Sequence, residues 1–223
     1  MTELIWDGKY KDGKKVTPVR IALPFQTIET INESNAEREK QQGLSFDQKT
    51  EWRNRLIWGD KKYVLPSLLP ELAGKVNLIY IDPPFNVGAD FSFTAKIADD
   101  PDTEVNEAAE FVKQPSIIEQ KAYRDTWGRG LDSYMQWFYE SVLLLKELMA
   151  SDGSIYVHLD WHVVHYAKAI LDEVFGVDRF QNEIIWKRKG GSALSNMSKM
   201  SINTDTLLYY TKSDDYTFNN IYM

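Results

Sequence analysis

The chain of 223 residues contains no cysteine and only three histidines. Without a thiol there is no disulfide framework, no thiolate zinc site and no cysteine nucleophile, so cysteine proteolysis and carbon-5 cytosine methylation are both excluded. Long hydrophobic runs are missing too. The apolar stretch at 142–145 falls far short of the roughly 20 residues that cross a bilayer, and Met1–Asp7 opens without a signal-peptide core. The expectation is a cytoplasmic globular protein without membrane contact, one domain plus an extension, with 43% hydrophobic and 26% charged residues. A basic excess is the third absence: the formal charge is −7, which normally argues against a nucleic-acid partner. That average misleads, because Asp99, Asp100, Asp102, Glu104, Glu107 and Glu110 crowd one segment without a basic residue. The rest of the chain is nearly neutral.

Residues 1–50 read as a polar N-terminal extension with little core, and 51–223 as the catalytic domain. From Arg55 short apolar runs alternate with helical ones, the pattern of an α/β protein. The spacing predicts a strand at Arg55–Trp58, a short helical stretch after Asp60 interrupted by Pro66 and Pro70, and a buried strand at Val76–Ile81. A long, weakly patterned connection from Asn86 to about Arg129 includes the acidic segment, as a lid or a solvated loop. Asp132 reads as the N-cap of a helix to Ala150, whose apolar stripe is Met135, Phe138, Val142, Leu145 and Met149. Then follow a strand at Ile155–Leu159, a helix from His162 to Phe175 closed by Gly176, and strands at Glu183–Lys187 and Thr206–Thr211.

The most informative residues are Asp82, Pro83, Pro84 and Phe85. Proline does not continue a central strand, so Asp82 marks the carboxyl end of the Val76–Ile81 strand, the edge where open α/β sheets bind ligands. An exocyclic amino group on a nucleobase is a weak nucleophile because its lone pair is delocalised into the ring. A carboxylate and a backbone carbonyl, which only accept hydrogen bonds, hold its protons and favour a pyramidal nitrogen. The prolines fix φ and remove competing donors, and the Phe85 ring offers a face to an extruded base.

The run Leu78-Ile-Tyr-Ile-Asp-Pro-Pro-Phe-Asn86 resembles the catalytic motif of amino-directed DNA methyltransferases that use S-adenosylmethionine. With Leu56–Asp60, Leu143–Met149, Gly153–Asp160 and Asn182–Lys187 as flanks, the likeness narrows to the modification subunits of Type III restriction systems and runs from about Arg55 to Tyr210. It implies a Rossmann-like methyltransferase fold with a central, mostly parallel sheet flanked by helices. It also implies N6 of adenine in double-stranded DNA as the target, S-adenosylmethionine as donor, a restriction subunit as a partner, and an oligomer as one form of assembly. Asp82, Pro83, Pro84 and Phe85 would be catalytic, Phe85 and Asn86 would line the base pocket, and Asp60 and Asp82 would reach the cofactor. The family's Phe-x-Gly-x-Gly segment, which holds the methionine part of the donor downstream of the catalytic motif, is not in this chain. We therefore expect an incomplete fold, a fragment of a longer protein.

Lesser signals each have a bland reading beside the sharp one. Lys187, Arg188 and Lys189 suit DNA phosphates, or form a solvated loop. Asp60 could equally cap the helix after it. His158, His162 and His165 carry no ligand spacing that favours a metal, and rings such as Trp137, Phe138 and Phe175 suit core packing better than base stacking. Two rival functions stay open: a non-catalytic DNA-binding or assembly module lacking the cofactor half, and an amino methyltransferase acting on RNA or protein.

Overall fold

The computed structural model describes residues 3–28, 54–86, 94–96, 110–112, 130–188 and 202–219. A small hairpin pairs β1 (Tyr10–Lys11) with β2 (Lys14–Lys15), and a second pairs β4 (Thr94–Lys96) with β5 (Glu110–Val112). The body is a four-stranded sheet ordered β3 (Val76–Ile81), β6 (Met149–Leu159), β8 (Thr204–Thr211), β7 (Phe180–Lys187). Of its three pairings only β3 with β6 is parallel; β6–β8 and β8–β7 are antiparallel. The sheet is therefore mixed, where the resemblance implied a mostly parallel one, because β7 and β8 return as neighbours instead of through a helical crossover.

Three helices, α1 (Lys61–Leu72), α2 (Leu131–Leu148) and α3 (Val164–Phe175), share one core with the sheet. Met135, Phe138, Val142, Leu145 and Met149 are all buried, as the stripe predicted, against Ile155, Val157 and Leu159 of β6 and Leu208 and Tyr210 of β8. Those strand residues belong to one face of the sheet. The opposite face carries Leu78 and Tyr80, both more than half exposed, together with Tyr156, Tyr209 and Trp186; Tyr156 and Tyr209 stack at 4.5 Å.

Several boundaries differ from expectation for identifiable reasons. Arg55–Trp58 is not a strand: it has no partner strand among the described residues, Leu56 and Trp58 are exposed, and Arg55 instead pairs with Glu71 of α1 at 2.7 Å. Helix α1 runs through Pro66 and Pro70 without interruption, giving up two amide donors. The N-cap of α2 is Gly130 (φ 61°), without a side-chain cap bond, so Asp132 sits in the first turn, where its charge meets the positive end of the helix dipole. The helix expected to reach Ala150 stops at Leu148, and Ser151, Asp152 and Gly153 are part of β6, which starts at Met149. There the register jumps from Val76–Met149 to Leu78–Ser154. Gly153 makes the bulge possible, since a Cβ would lie 3.0 Å from the carbonyl oxygens of both Ala150 and Val76. Helix α3 begins at Val164, leaving His162 in the preceding turn, and ends on Gly176 at φ 102°.

The described part of the N-terminal stretch carries more core than its composition suggests. Trp6 is buried in the shared core and donates from Nε1 to Gln136 of α2 at 2.9 Å. Lys9 is fully buried. Its ammonium lies 2.6 Å from Glu173 of α3, 2.7 Å from Glu3 and 2.6 Å from the Leu4 carbonyl, above the Trp6 ring. Further on, Arg20 forks onto Glu147 of α2 and the Leu23 amide donates to Ser67 of α1. Residues 3–28 thus strap all three helices. The boundary drawn at residue 50 falls outside the described residues, as do most of the Asn86–Arg129 connection and Lys189.

Candidate active site

Strand β3 ends at Ile81, and the backbone of 82–86 runs on irregularly along the sheet edge. Pro83 is buried and anchors the turn, while the Asp82 side chain is 56% exposed, facing outward. Asn86 adopts φ 56°, a left-handed conformation that asparagine tolerates better than most residues. Phe85 is half-buried, packed on the core from one side, with its ring 5.7 Å from His158 at 64°, edge to face. An exposed carboxylate followed by two prolines and a supported ring is the arrangement the motif calls for.

His158, on β6, is the centre of a polar cluster that sequence reasoning missed as a site. Its Nδ1 lies 3.1 Å from the Tyr80 hydroxyl and 3.6 Å from Oδ1 of Asp82, and its Nε2 lies 3.5 Å from Oδ2 of Asp205 on β8. Arg188, just past β7, closes the row with Nε 3.4 Å from Oδ1 of Asp205. All four strands contribute. Tyr80 pairs with Tyr156 and His158 with Leu207, so alternation puts Asp82, His158 and Asp205 on the same face, opposite the core and without a helix among the described residues. Since β8 is antiparallel, Asp205 near its start reaches the edge where β3 and β6 end.

Asp60 takes its bland role: it is the N-cap of α1, its carboxylate accepting the Lys62 amide at 2.8 Å. It also borders an open concavity of about 400 Å³ between α1 and α2, with Lys61, Leu65, Gln136, Trp137 and Glu140 among its walls. Lys61 donates to the Trp137 carbonyl at 2.7 Å and sits 3.5 Å above that ring, and burial pulls its ammonium down to about 7. This concavity does not include Asp82 or Phe85. Trp137 is half-buried, whereas Phe138 and Phe175 are core residues. Lys187 is exposed. Arg188 is tied to the start of β8 by Asp205 and by the Ile202 carbonyl at 3.3 Å, so it is engaged within the protein rather than standing free. His162 bonds Asp160 through Nδ1 at 2.5 Å and stacks on Trp161, and His165 is exposed on α3.

Comparison with known proteins decides the family. The model of the family described as DNA methylase matches residues 76–223, two thirds of the chain and including all of Asp82–Asn86. The chain belongs to this DNA methylase family. Among curated relatives it is 30% identical over 166 residues to the Type II methyltransferase M.EcaI of Enterobacter cloacae, a match covering 74% of this chain and 31% of that protein. It is 26% identical over 207 residues to the EcoP15I Mod subunit, a Type III restriction-modification enzyme of Escherichia coli, covering 91% of this chain and 30% of the relative. The chain thus spans about a third of the length of the curated relatives it matches. A distant likeness to the solved PvuII DNA methyltransferase (cytosine-N4-specific), with 13% identity, covers 69% of this chain and 48% of that one at a TM-score of 0.37. Among the described residues no helix is long and apolar enough to cross a membrane.

Proposed function

We propose that this member of the DNA methylase family carries the base-binding half of an adenine-N6 DNA methyltransferase of the Type III modification kind. The observation that supports it is the exposed Asp82 carboxylate at the end of β3, followed by Pro83, Pro84 and a Phe85 ring that β6 props from behind. Asp82 and the Pro83 carbonyl accept the two amino protons of a flipped adenine, Phe85 stacks on it and Asn86 borders the pocket. A bound S-adenosylmethionine supplies the electrophilic methyl group. The residues present fit part of that donor: Asp60 offers a carboxylate beside the concavity walled by Leu65 and Trp137, and Asp82 offers a negative charge to the sulfonium side. Lys187 and Arg188, at the end of β7, together with Lys189 next in sequence, contact the DNA backbone, with Arg188 also holding Asp205. Double-stranded DNA is the substrate and a restriction subunit a partner.

A second reading has a specific observation in its favour: the chain spans a third of its relatives and has no Phe-x-Gly-x-Gly segment. In that reading the chain holds the base while another polypeptide segment holds the donor. Two measurements decide. DNA exposed to the chain and tritiated S-adenosylmethionine, then digested to nucleosides, is expected to carry label in N6-methyladenine. Label in cytosine, or in RNA or protein offered in competition, overturns the substrate. Calorimetric binding of S-adenosylmethionine to the chain alone supports self-sufficiency; no binding together with retained DNA binding supports the divided site.

A further inference from the structure

The row that crosses the sheet edge contains more than base recognition requires. His158 Nε2 and Asp205 Oδ1 are buried atoms without a hydrogen-bond partner among the described residues, and the Asp205 side chain is only 8% exposed. Burying such atoms without a hydrogen bond is costly, so a fold that keeps Nε2 3.5 Å from the other Asp205 oxygen, Oδ2, and Oδ1 3.4 Å from Arg188 Nε holds the row ready for bonds that tighten in another state of the site. On the other side of the ring, Nδ1 faces both the Tyr80 hydroxyl and Asp82.

We propose that His158 is the positioning residue for Asp82: it couples that carboxylate to Asp205 and takes over the proton that Asp82 receives from the methylated amino group. This rests on the function proposed above. As a carbon–nitrogen bond forms and the sulfonium carbon–sulfur bond breaks, the amino nitrogen is left with two hydrogens, one methyl group and a positive charge. It must lose one proton. Asp82, already accepting that hydrogen, takes it and passes it 3.6 Å to Nδ1, and the imidazolium so formed is met at Nε2 by Asp205. The groups facing the ring are Tyr80 and Asp82 from β3, Asp205 from β8 and, through Asp205, Arg188 beyond β7. Before transfer the ring is the Nε2–H tautomer: Nε2–H lies on the Asp205 side, Nδ1 accepts from Tyr80, and Asp82 remains free for the base. The Phe85 ring against His158 ties the same imidazole to the stacking surface.

The test has one arm that needs no activity. The chain has three histidines, so imidazole nitrogen NMR on the 223-residue protein, assigned with His162→Gln and His165→Gln, follows His158 alone. Asp82→Asn and Asp205→Asn are each expected to move the His158 ring-nitrogen shifts, since each alters a group facing one of the two nitrogens. Ring shifts that either change leaves in place overturn the coupling. In the second arm, single-turnover methyl transfer to DNA by His158→Gln and by His158→Asn is expected to be about 10- to 100-fold slower. The acid limb of the wild-type rate profile should be lost and the KM for DNA should stay within about threefold. Rates and pH profile equal to wild type in a folded variant overturn the proton role. A wild-type chain that binds S-adenosylmethionine and DNA yet methylates no adenine counts instead against the proposed function, and the NMR arm still decides whether Asp82, His158 and Asp205 act as one unit.

Discussion

Lys9 gives the sharpest structural prediction, because a fully buried ammonium is costly unless its partners stay in place. Its contacts are Glu173 at 2.6 Å, Glu3 at 2.7 Å and the Leu4 carbonyl at 2.6 Å, and the Glu173 side chain is itself only 7% exposed. Removing one member of a buried pair typically costs about 3–5 kcal/mol. Here each survivor keeps a second partner, Glu3 for Lys9 and Lys15 for Glu173, so Lys9→Met and Glu173→Leu should each cost about 2 kcal/mol. That corresponds to a Tm lower by about 4–8 °C for a chain of this size. The double variant replaces the pair with apolar groups of similar volume beside Trp6 and should lose only about 1 kcal/mol, a coupling of about 3 kcal/mol. Urea unfolding followed by tryptophan fluorescence measures all three. Exposed pairs such as Arg20–Glu147 serve as the control, worth under about 1 kcal/mol. If the single variants cost less than about 0.5 kcal/mol, or the double variant is the sum of the two, the buried-pair reasoning fails.

Four further outcomes follow from the same structure. Asp82→Ala should abolish adenine methylation in the tritium assay while leaving the far-UV circular dichroism unchanged; full activity would remove this carboxylate from the reaction. Gly153→Ala pushes a methyl group against two backbone carbonyls at 3.0 Å, neither of which can turn aside, and should lower stability by about 1–3 kcal/mol in chemical denaturation. Phe138→Ala opens the centre of α2's buried stripe at a cost of about 3–5 kcal/mol, checked in the same experiment. For Lys61, whose ammonium is held down at about 7 by burial, the folded state binds fewer protons than the unfolded state between that pH and the ordinary lysine range. Stability should therefore rise with pH from about 7 upward. The urea midpoint of Lys61→Met should rise less between pH 7 and 9 than that of the wild type, and parallel slopes would refute the assignment.

Much of the site was legible in the sequence because its signal is local. Val76–Ile81 followed by two prolines reads as a buried strand that stops; it stops there with an exposed carboxylate, but only Ile79 of the strand is buried, because Leu78 and Tyr80 lie on the open face of the sheet. The stripe of α2 and the glycine closing α3 were legible for the same reason: apolar spacing and φ > 0 chemistry are written within a few residues. What failed depended on distant partners. Arg55–Trp58 has strand composition but no neighbour to hydrogen-bond among the described residues, and Trp6 and Lys9 belong to the core only because Gln136 and Glu173 come to meet them.

Asp205 shows why the functional row was harder to read than the motif at its end. The rule that ligands sit at the carboxyl ends of strands points to Asp82 and His158 but passes over a residue near the start of β8. That strand lies antiparallel to β6, with Leu159 opposite Thr206, so its beginning and the end of β6 meet at one edge. A sequence signal did exist: Asp205 is an acidic residue at the head of an apolar run, and His158 is a basic one inside another. A buried carboxylate and a buried imidazole on two strands seek each other when the strands are neighbours, because an acceptor and a donor each need a partner in a low-dielectric interior. Pairing such residues before drawing the sheet would have placed β8 beside β6 and made its direction antiparallel, bringing Asp205 to His158 and, through it, to Asp82.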